Sequence, residues 1–190
     1  MHLVMGLGPI GGNIGAHLAE LGQAVYGYDF NQDRIREWSD ENKSPAGNDL
    51  AAVDWSSVDS VHIAVRLADQ VSSVFEALKD HTERPLTVFV HTTLAPADAR
   101  RIFASAPESW RAFEAPVSGG PQGARHGSMT IFLAGPAPTD AEGRLLADIS
   151  GRVFRMQSYG QPALVKLLNN ALATYNLAAT ARMLTLAAEH

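Results

Sequence analysis

Three glycines in the run GLGPIG, Gly6, Gly8 and Gly11, constrain this chain more than any other feature. Their spacing is G-x-G-x-x-G, and each position has its own reason to lack a side chain. Gly6 permits a tight turn, Gly8 lets the backbone approach a pyrophosphate, and Gly11 allows a helix to pack closely on a strand. Leu7, Pro9 and Ile10 complete the turn. The spacing alone is common, so its surroundings decide. His2–Met5 is a short apolar run that reads as a strand, and Ile14, Leu18 and Leu21 recur at helical spacing until Gly22 stops the helix. Ala24–Asp29 reads as a second strand, and Asp29 follows Gly8 by 21 residues. A separation of about 20 is expected for a carboxylate that binds an adenine ribose. Strand, turn, helix and strand open a right-handed parallel unit whose helix points N–H groups at phosphates. Because a carboxylate repels a 2′-phosphate and the next residue, Phe30, is not a cation, NAD is favoured over NADP; only Arg34 nearby argues the other way.

The same alternation continues. Ser60–Val65 and Leu86–Thr93 read as strands, each followed by a helix, around Gln70–Leu78 and from Pro96 onwards. RAFEAPV and MTIFLAG read as short strands, DAEGRLLADIS as a helix and GRVFRM as a last strand, while SGGPQGARHGS between the two short strands is too rich in glycine to be regular. The expected class is α/β: a Rossmann-type, mostly parallel sheet with helices on both faces, filling residues 1–160. From Pro162 the character changes. Leu164, Leu167, Leu168, Ala171, Leu172, Tyr175, Ala178 and Ala179 fall at helical intervals, and Leu177, Leu184 and Leu186 widen the apolar surface. Residues 161–190 thus read as one helix of about 28 residues, roughly 42 Å long. A helix so long and apolar calls for a partner, either a further domain or a second subunit.

Composition excludes several classes. With 46% apolar and 18% charged residues the chain is globular, and a net charge of −5 without a basic block argues against nucleic acid or an anionic membrane. No cysteine is present, so disulfides and thiolate metal sites are excluded, and no pair of the seven histidines has the spacing of a helical metal site. No secretory signal opens the sequence and no apolar run reaches the ~18 residues of a membrane span, so a cytoplasmic protein is expected.

Three stretches occur in order: GLGPIGGNIGAHLAELGQAVYGYD, EAPVSGGPQGARHGS and KLLNN. Together they resemble the β-hydroxyacid dehydrogenase family, which includes 3-hydroxyisobutyrate dehydrogenase and tartronate semialdehyde reductase, over essentially the whole chain. The 6-phosphogluconate branch typically has histidine–asparagine after its lysine, so the two asparagines here point to smaller substrates. The resemblance implies that Ser118, Gly119 and Gly120 hold the substrate carboxylate; open backbone N–H groups beside a hydroxyl suit an anion. It implies that Lys166 is the general acid and base and that Asn170, one helical turn on, binds substrate, with Asn169 a weaker candidate that supports the helix junction. From the helix alone Lys166 also reads as a side chain snorkelling at a domain edge. VHTTLAP matches the family's D-x-S-T-x-x-P loop, which makes Thr93 the counterpart of the threonine near the nicotinamide and puts Val90 where the family has aspartate. Val65, Arg66 and Leu67 are expected at a ribose of the cofactor; Arg66 reads equally as a surface cation or a phosphate contact.

Two departures stand out. Relatives carry G-x-G shortly before the lysine, whereas this chain has GQP, with Pro162 fixing φ and lacking an N–H. Family enzymes also add an all-helical domain that closes the cleft and forms most of a dimer interface, and residues 161–190 correspond only to its connecting helix. The expectation is an NAD(P)-dependent oxidoreductase acting on a small β-hydroxyacid or its semialdehyde, forming a homodimer through the last helix. The alternatives are a dinucleotide-binding dimerisation module of little activity, and an imine reductase, whose relatives share the fold but usually lack the lysine.

Overall fold

The computed structural model of the protein describes residues 1–189. Its first half alternates strand and helix except between β3 and β4, which two single helical turns join: β1 (His2–Met5), α1 (Gly11–Glu20), β2 (Val25–Tyr28), α2 (Gln32–Asn42), β3 (Ala46–Gly47), β4 (Ser60–Ile63), α3 (Ala68–His81), β5 (Thr87–Val90), α4 (Pro96–Ala104) and β6 (Arg111–Glu114). The six strands pair in the order β3-β2-β1-β4-β5-β6, all parallel. The chain runs outward from β1 in one direction and from β4 in the other, so the order reverses between them. A crevice opens above the C-terminal ends of strands at such a reversal, and there it lies above Met5 and Ile63. Alternate strand residues feed two cores: Leu3, Met5, Val61, Ile63 and Val88 pack under α3 and α4, and Val4, Phe89 and Phe113 under α1. This is the doubly covered parallel sheet expected from the sequence.

Beyond β6 the expectation needs correcting. The run RAFEAPV is broken after Glu114: Pro116 has no N–H to donate, its carbonyl accepts from Phe132 N, and the chain leaves the main sheet. β7 (Val117–Ser118), β8 (Met129–Leu133) and β9 (Ser150–Arg155) form a second, three-stranded sheet in that order, with α6 (Asp140–Ile149) between its last two strands. The stretch SGGPQGARHGS is not irregular throughout, because Gly120–Arg125 form a short helix, α5, whose buried Gly123 and Ala124 sit against β8. Glycine at these places allows close packing on Met129 rather than breaking the helix. Helix α2 escaped prediction because it buries only Ile35 and Trp38; Asn31 starts it by accepting from Asp33 N and Arg34 N.

Helix α7 (Gln161–Glu189) runs for 29 residues, and His190 lies outside the described residues. Only Pro162 and Ala163 are buried along it. Leu168, Leu172, Tyr175, Leu177 and Leu184 are exposed, so the apolar surface that called for a partner is free in this chain. Among the described residues no helix is long and apolar enough to cross a membrane.

Two histidines sit inside the main sheet, His62 in β4 and His91 just after β5, both buried. Burial holds His62 well below the ordinary imidazole range and brings His91 to about 4, so both are neutral in the fold. The unfolded chain binds protons at these rings below about pH 6.5 while the folded chain does not, so unfolding gains protons there and stability falls with falling pH. The loss begins near pH 6.5, continues towards pH 4 for His91, and amounts to roughly 1 kcal/mol per pH unit for each ring. We expect the urea midpoint to drop between pH 7 and pH 5, and the drop to shrink in His91→Asn; a wild-type midpoint constant over that interval would contradict the burial of neutral rings.

Candidate active site

The turn after β1 shows what each glycine does. Gly6 has φ +101°, and a Cβ there would stand 2.6 Å from the carbonyl oxygen of Ala64 at the end of β4. A Cβ on Gly11 would collide with the carbonyl of Gly6. Gly8 is different: a Cβ there meets nothing within 4 Å, so no packing inside the chain demands glycine. Its open face, with Gly6, Pro9 and Ile10, lines a cleft of about 670 Å³, and α1 begins beside it without a side-chain cap. Open backbone beside an uncapped helix start suits a pyrophosphate, so the residues present fit a dinucleotide. Leu7 turns inward, and its N–H donates to Asp29 Oδ2 at 2.8 Å while Asn31 N donates to Oδ1 at 2.9 Å. The carboxylate is thereby fixed on the cleft wall with acceptor capacity left on each oxygen. Arg34 Nη1 stands 3.7 Å from Asp29 Oδ2, and Phe30 is exposed at the rim.

The opposite wall comes from the ends of β4 and β5. Val65 and Arg66 line the cleft, and Gln70 Oε1 accepts from the N–H groups of Arg66 and Leu67, closing the first turn of α3. Leu67 itself is exposed and does not line the cleft. Thr92 Oγ1 donates to Val65 O at 2.8 Å and so ties the two strand ends together, with Thr93 beside it on the lining. Sequence reading missed the apolar end of the cleft, formed by Tyr28, Leu50, Val74 and Ala77, and also missed His91. Leu50 belongs to a single helical turn too short to show a period, and Val74 and Ala77 fall inside the helix expected around Gln70–Leu78, where nothing marks them as facing a cleft.

The third wall carries Gly120 and Lys166. Gly119 and Gly120 have φ +128° and +64°, so the two turn their backbone outward in a way side-chain-bearing residues rarely adopt. Ser118 faces an adjoining groove, where its Oγ accepts from Asn169 Nδ2 at 3.1 Å. Asn169 therefore links α7 to the Ser118 strand, while Asn170 is exposed one turn beyond Lys166 and lines neither cavity. Burial lowers the pKa of Lys166, and none of the ion pairs among the described residues involves it. A partly desolvated amine with no carboxylate partner is suited to exchanging protons near neutral pH.

Lys166 owes its place to the way α7 begins. Glu114, buried at the end of β6, accepts from Gly160 N at 2.6 Å and from Ala163 N at 2.8 Å. Burial raises its pKa, and those two donors oppose the rise. Tyr159 adds a bond from its hydroxyl to Ala112 O at 2.9 Å and stacks on Phe103. Pro162 lies in the first turn of α7, where an N–H has no intrahelical acceptor, so GQP opens the helix and the missing donor costs nothing. Among the described residues no group of three His, Asp or Glu side chains is placed to hold a metal.

These roles separate two substitutions. Gly8→Ala should fold with a thermal midpoint close to wild type yet weaken NAD binding at least tenfold, because its methyl group enters only the cleft. Gly11→Ala should lower the thermal midpoint itself. Calorimetric titration with NAD beside thermal unfolding distinguishes them, and unimpaired binding by Gly8→Ala would remove the pyrophosphate from this turn.

Comparison with known proteins agrees with this geometry. Residues 3–156 match the family described as the NAD binding domain of 6-phosphogluconate dehydrogenase. The 3-hydroxyisobutyrate dehydrogenase of Pseudomonas aeruginosa is 29% identical over 188 residues, covering 96% of this chain and 62% of the relative. L-threonate dehydrogenase of Escherichia coli K12 is 28% identical over 191 residues, 97% of this chain and 63% of the relative. This chain thus spans less than two thirds of the length of these relatives. A crystal structure of 3-hydroxyisobutyrate dehydrogenase from Salmonella typhimurium superposes with a TM-score of 0.82 at 26% identity, over 100% of this chain and 68% of that one. A reductive aminase from Aspergillus terreus, at 18% identity and a TM-score of 0.73 over 94% of this chain and 62% of that one, shares the fold. With the motifs and the cleft in place, the chain belongs to the β-hydroxyacid dehydrogenase family, matching it through the NAD binding domain of 6-phosphogluconate dehydrogenase.

Proposed function

We propose that this chain binds NAD and oxidises a small β-hydroxyacid, of the 3-hydroxyisobutyrate kind, to its semialdehyde, or catalyses the reverse reduction. One observation carries the reading: Gly8 and Asp29 line the same cleft as Gly120 and Lys166. The dinucleotide turn and a partly desolvated amine thus share one space. NAD, when bound, supplies the hydride acceptor for the carbinol carbon. The chain's own residues do the rest. Ser118, Gly119 and Gly120 receive the substrate carboxylate, with the Ser118 hydroxyl oriented by Asn169. Lys166 takes the hydroxyl proton as the carbinol is oxidised and returns it in reduction, while Asn170, exposed one turn further along α7, lies outside the cleft lining. The choice of NAD over NADP rests on Asp29, whose carboxylate two backbone N–H groups hold at the cleft wall. Arg34 pairs with that carboxylate, which lessens its availability for a 2′-phosphate.

The exposed apolar side chains of α7 support a homodimer formed through this helix, and the sequence supports a cytoplasmic protein. The relatives' names include dehydrogenases of 3-hydroxyisobutyrate, L-threonate and L-serine, so the substrate class is a short hydroxyacid and its identity is for a substrate panel to decide. Lys166 argues against imine reduction, because relatives of that kind usually lack it.

The test is a panel of small hydroxyacids with NAD and NADP, run beside Lys166→Met. Loss of a positioned acid–base group should lower kcat by about 10²-fold or more while NAD affinity stays within about threefold. Oxidation requires the neutral amine, so its rate should climb as pH rises through the lowered pKa of Lys166, and reduction should show the opposite slope. Turnover unchanged by the substitution would overturn the mechanism.

A further inference from the structure

A row of polar side chains crosses the main sheet, and the proposed mechanism uses none of it. His91 Nδ1 lies 3.0 Å from Ala115 O, and His91 Nε2 lies 3.0 Å from His62 Nδ1. His62 Nε2 is 3.0 Å from Ser60 Oγ, which is 2.8 Å from His2 Nδ1. The rings of His62 and His91 stack at 5.3 Å. His62, His91 and Ser60 are all buried, so each bond is needed to satisfy its atoms.

One fixed end orders the whole row. A carbonyl only accepts, so Nδ1 of His91 carries the proton and Nε2 of His91 is an acceptor. His62 must then donate from Nδ1 and accept at Nε2 from the Ser60 hydroxyl, and Ser60 accepts from His2 Nδ1. Every ring is held in its Nδ1–H form. Such a row does not pass a proton into the cleft, because its last donor is engaged by the Ala115 carbonyl. What it provides is a hydrogen bond of fixed direction at one place.

That place joins the two loops of the site. His91 N donates to Ile63 O at 2.8 Å, and Thr92 and Thr93, the next two residues, line the cleft. Ala115 N donates to Val90 O at 2.9 Å, and Ala115 stands three residues before Ser118. Between Ala115 and Val117 stands Pro116, which brings no donor of its own. We propose that His91 is a positioning residue: its Nδ1–H, directed by the row behind it, registers the Thr92–Thr93 loop against the segment that leads to Ser118–Gly120. This rests on the dehydrogenase reading for its catalytic consequence, though not for its geometry.

Two substitutions divide the ring's bonds. His91→Asn places an amide nitrogen where Nδ1 stands and keeps a donor for Ala115, but loses the acceptor for His62. His91→Gln places its amide oxygen where Nε2 stands, keeping the acceptor for His62 and losing the bond to Ala115. The proposal expects kcat/KM of the Asn variant within about threefold of wild type and that of the Gln variant lower by about tenfold, the scale of one hydrogen bond. A ring that merely satisfies His62 predicts the reverse order. Nitrogen-15 NMR of the histidines should show the proton of His91 on Nδ1 at pH 7. A proton on Nε2, or a Gln variant as active as the Asn variant or more so, overturns the proposal. If the wild-type chain oxidises no hydroxyacid, it is the dehydrogenase reading that has failed, and the backbone amide shifts of Thr93 and Gly119 then decide. They should stay near wild type in His91→Asn and move together in His91→Gln, and the opposite pattern sinks the proposal.

Discussion

The contact between Gly6 and Ala64, at the neighbouring ends of β1 and β4, is the constraint on which the rest depends. The turn presses so closely on the Ala64 carbonyl that a side chain on Gly6 would stand 2.6 Å from it. Gly11 must then pass over Gly6 with no Cβ either, and this brings α1 back across the sheet at once. The chain is left with a crevice at the point where its strand order reverses. Leu7 N is turned towards the end of β2, where it finds Asp29. Turn, helix and carboxylate are consequences of one close approach, which explains why the three occur together in the sequence.

The second half of the site is attached by an electrostatic compromise. Glu114 is buried, which alone disfavours its charge, yet it accepts two backbone N–H groups at the start of α7. Those are groups that a helix leaves without internal partners, so the carboxylate and the helix end satisfy each other. The effect is to fix the first turn of a long helix that is otherwise exposed. Lys166, close beyond that turn, is thereby placed at the cleft, and Asn169 is placed against Ser118.

Much of this was legible in the sequence because it rests on local spacing. The glycine triad, Asp29 and the strand–helix alternation each depend on residues near in sequence, and the structure has them where the spacing put them. Helix α2 was not legible, since two buried residues on a charged background make no stripe, and Gly120–Arg125 hid a helix behind its glycines. The anchoring of Lys166 by Glu114 was invisible for another reason. The two are 52 residues apart, and nothing local in either segment predicts their meeting. The pairing of His62 with His91 needs the register of β4 and β5, which only the folded sheet supplies. Of the candidate substrate residues, Gly120 and Lys166 share the cleft, whereas Ser118 meets Asn169 in the adjoining groove and Asn170 is exposed. The apolar surface of α7 was legible as a demand for a partner, and the structure leaves that surface uncovered.

The central claim is that one cleft brings a hydroxyacid carbinol and a nicotinamide together over this sheet. The most direct measurement uses a small β-hydroxyacid carrying deuterium on its carbinol carbon, incubated with NAD and the protein. The account predicts that the deuterium is recovered on C4 of the reduced nicotinamide. Deuterium released to water, or retained in unreacted acid while the chain is folded and binds NAD, would contradict it.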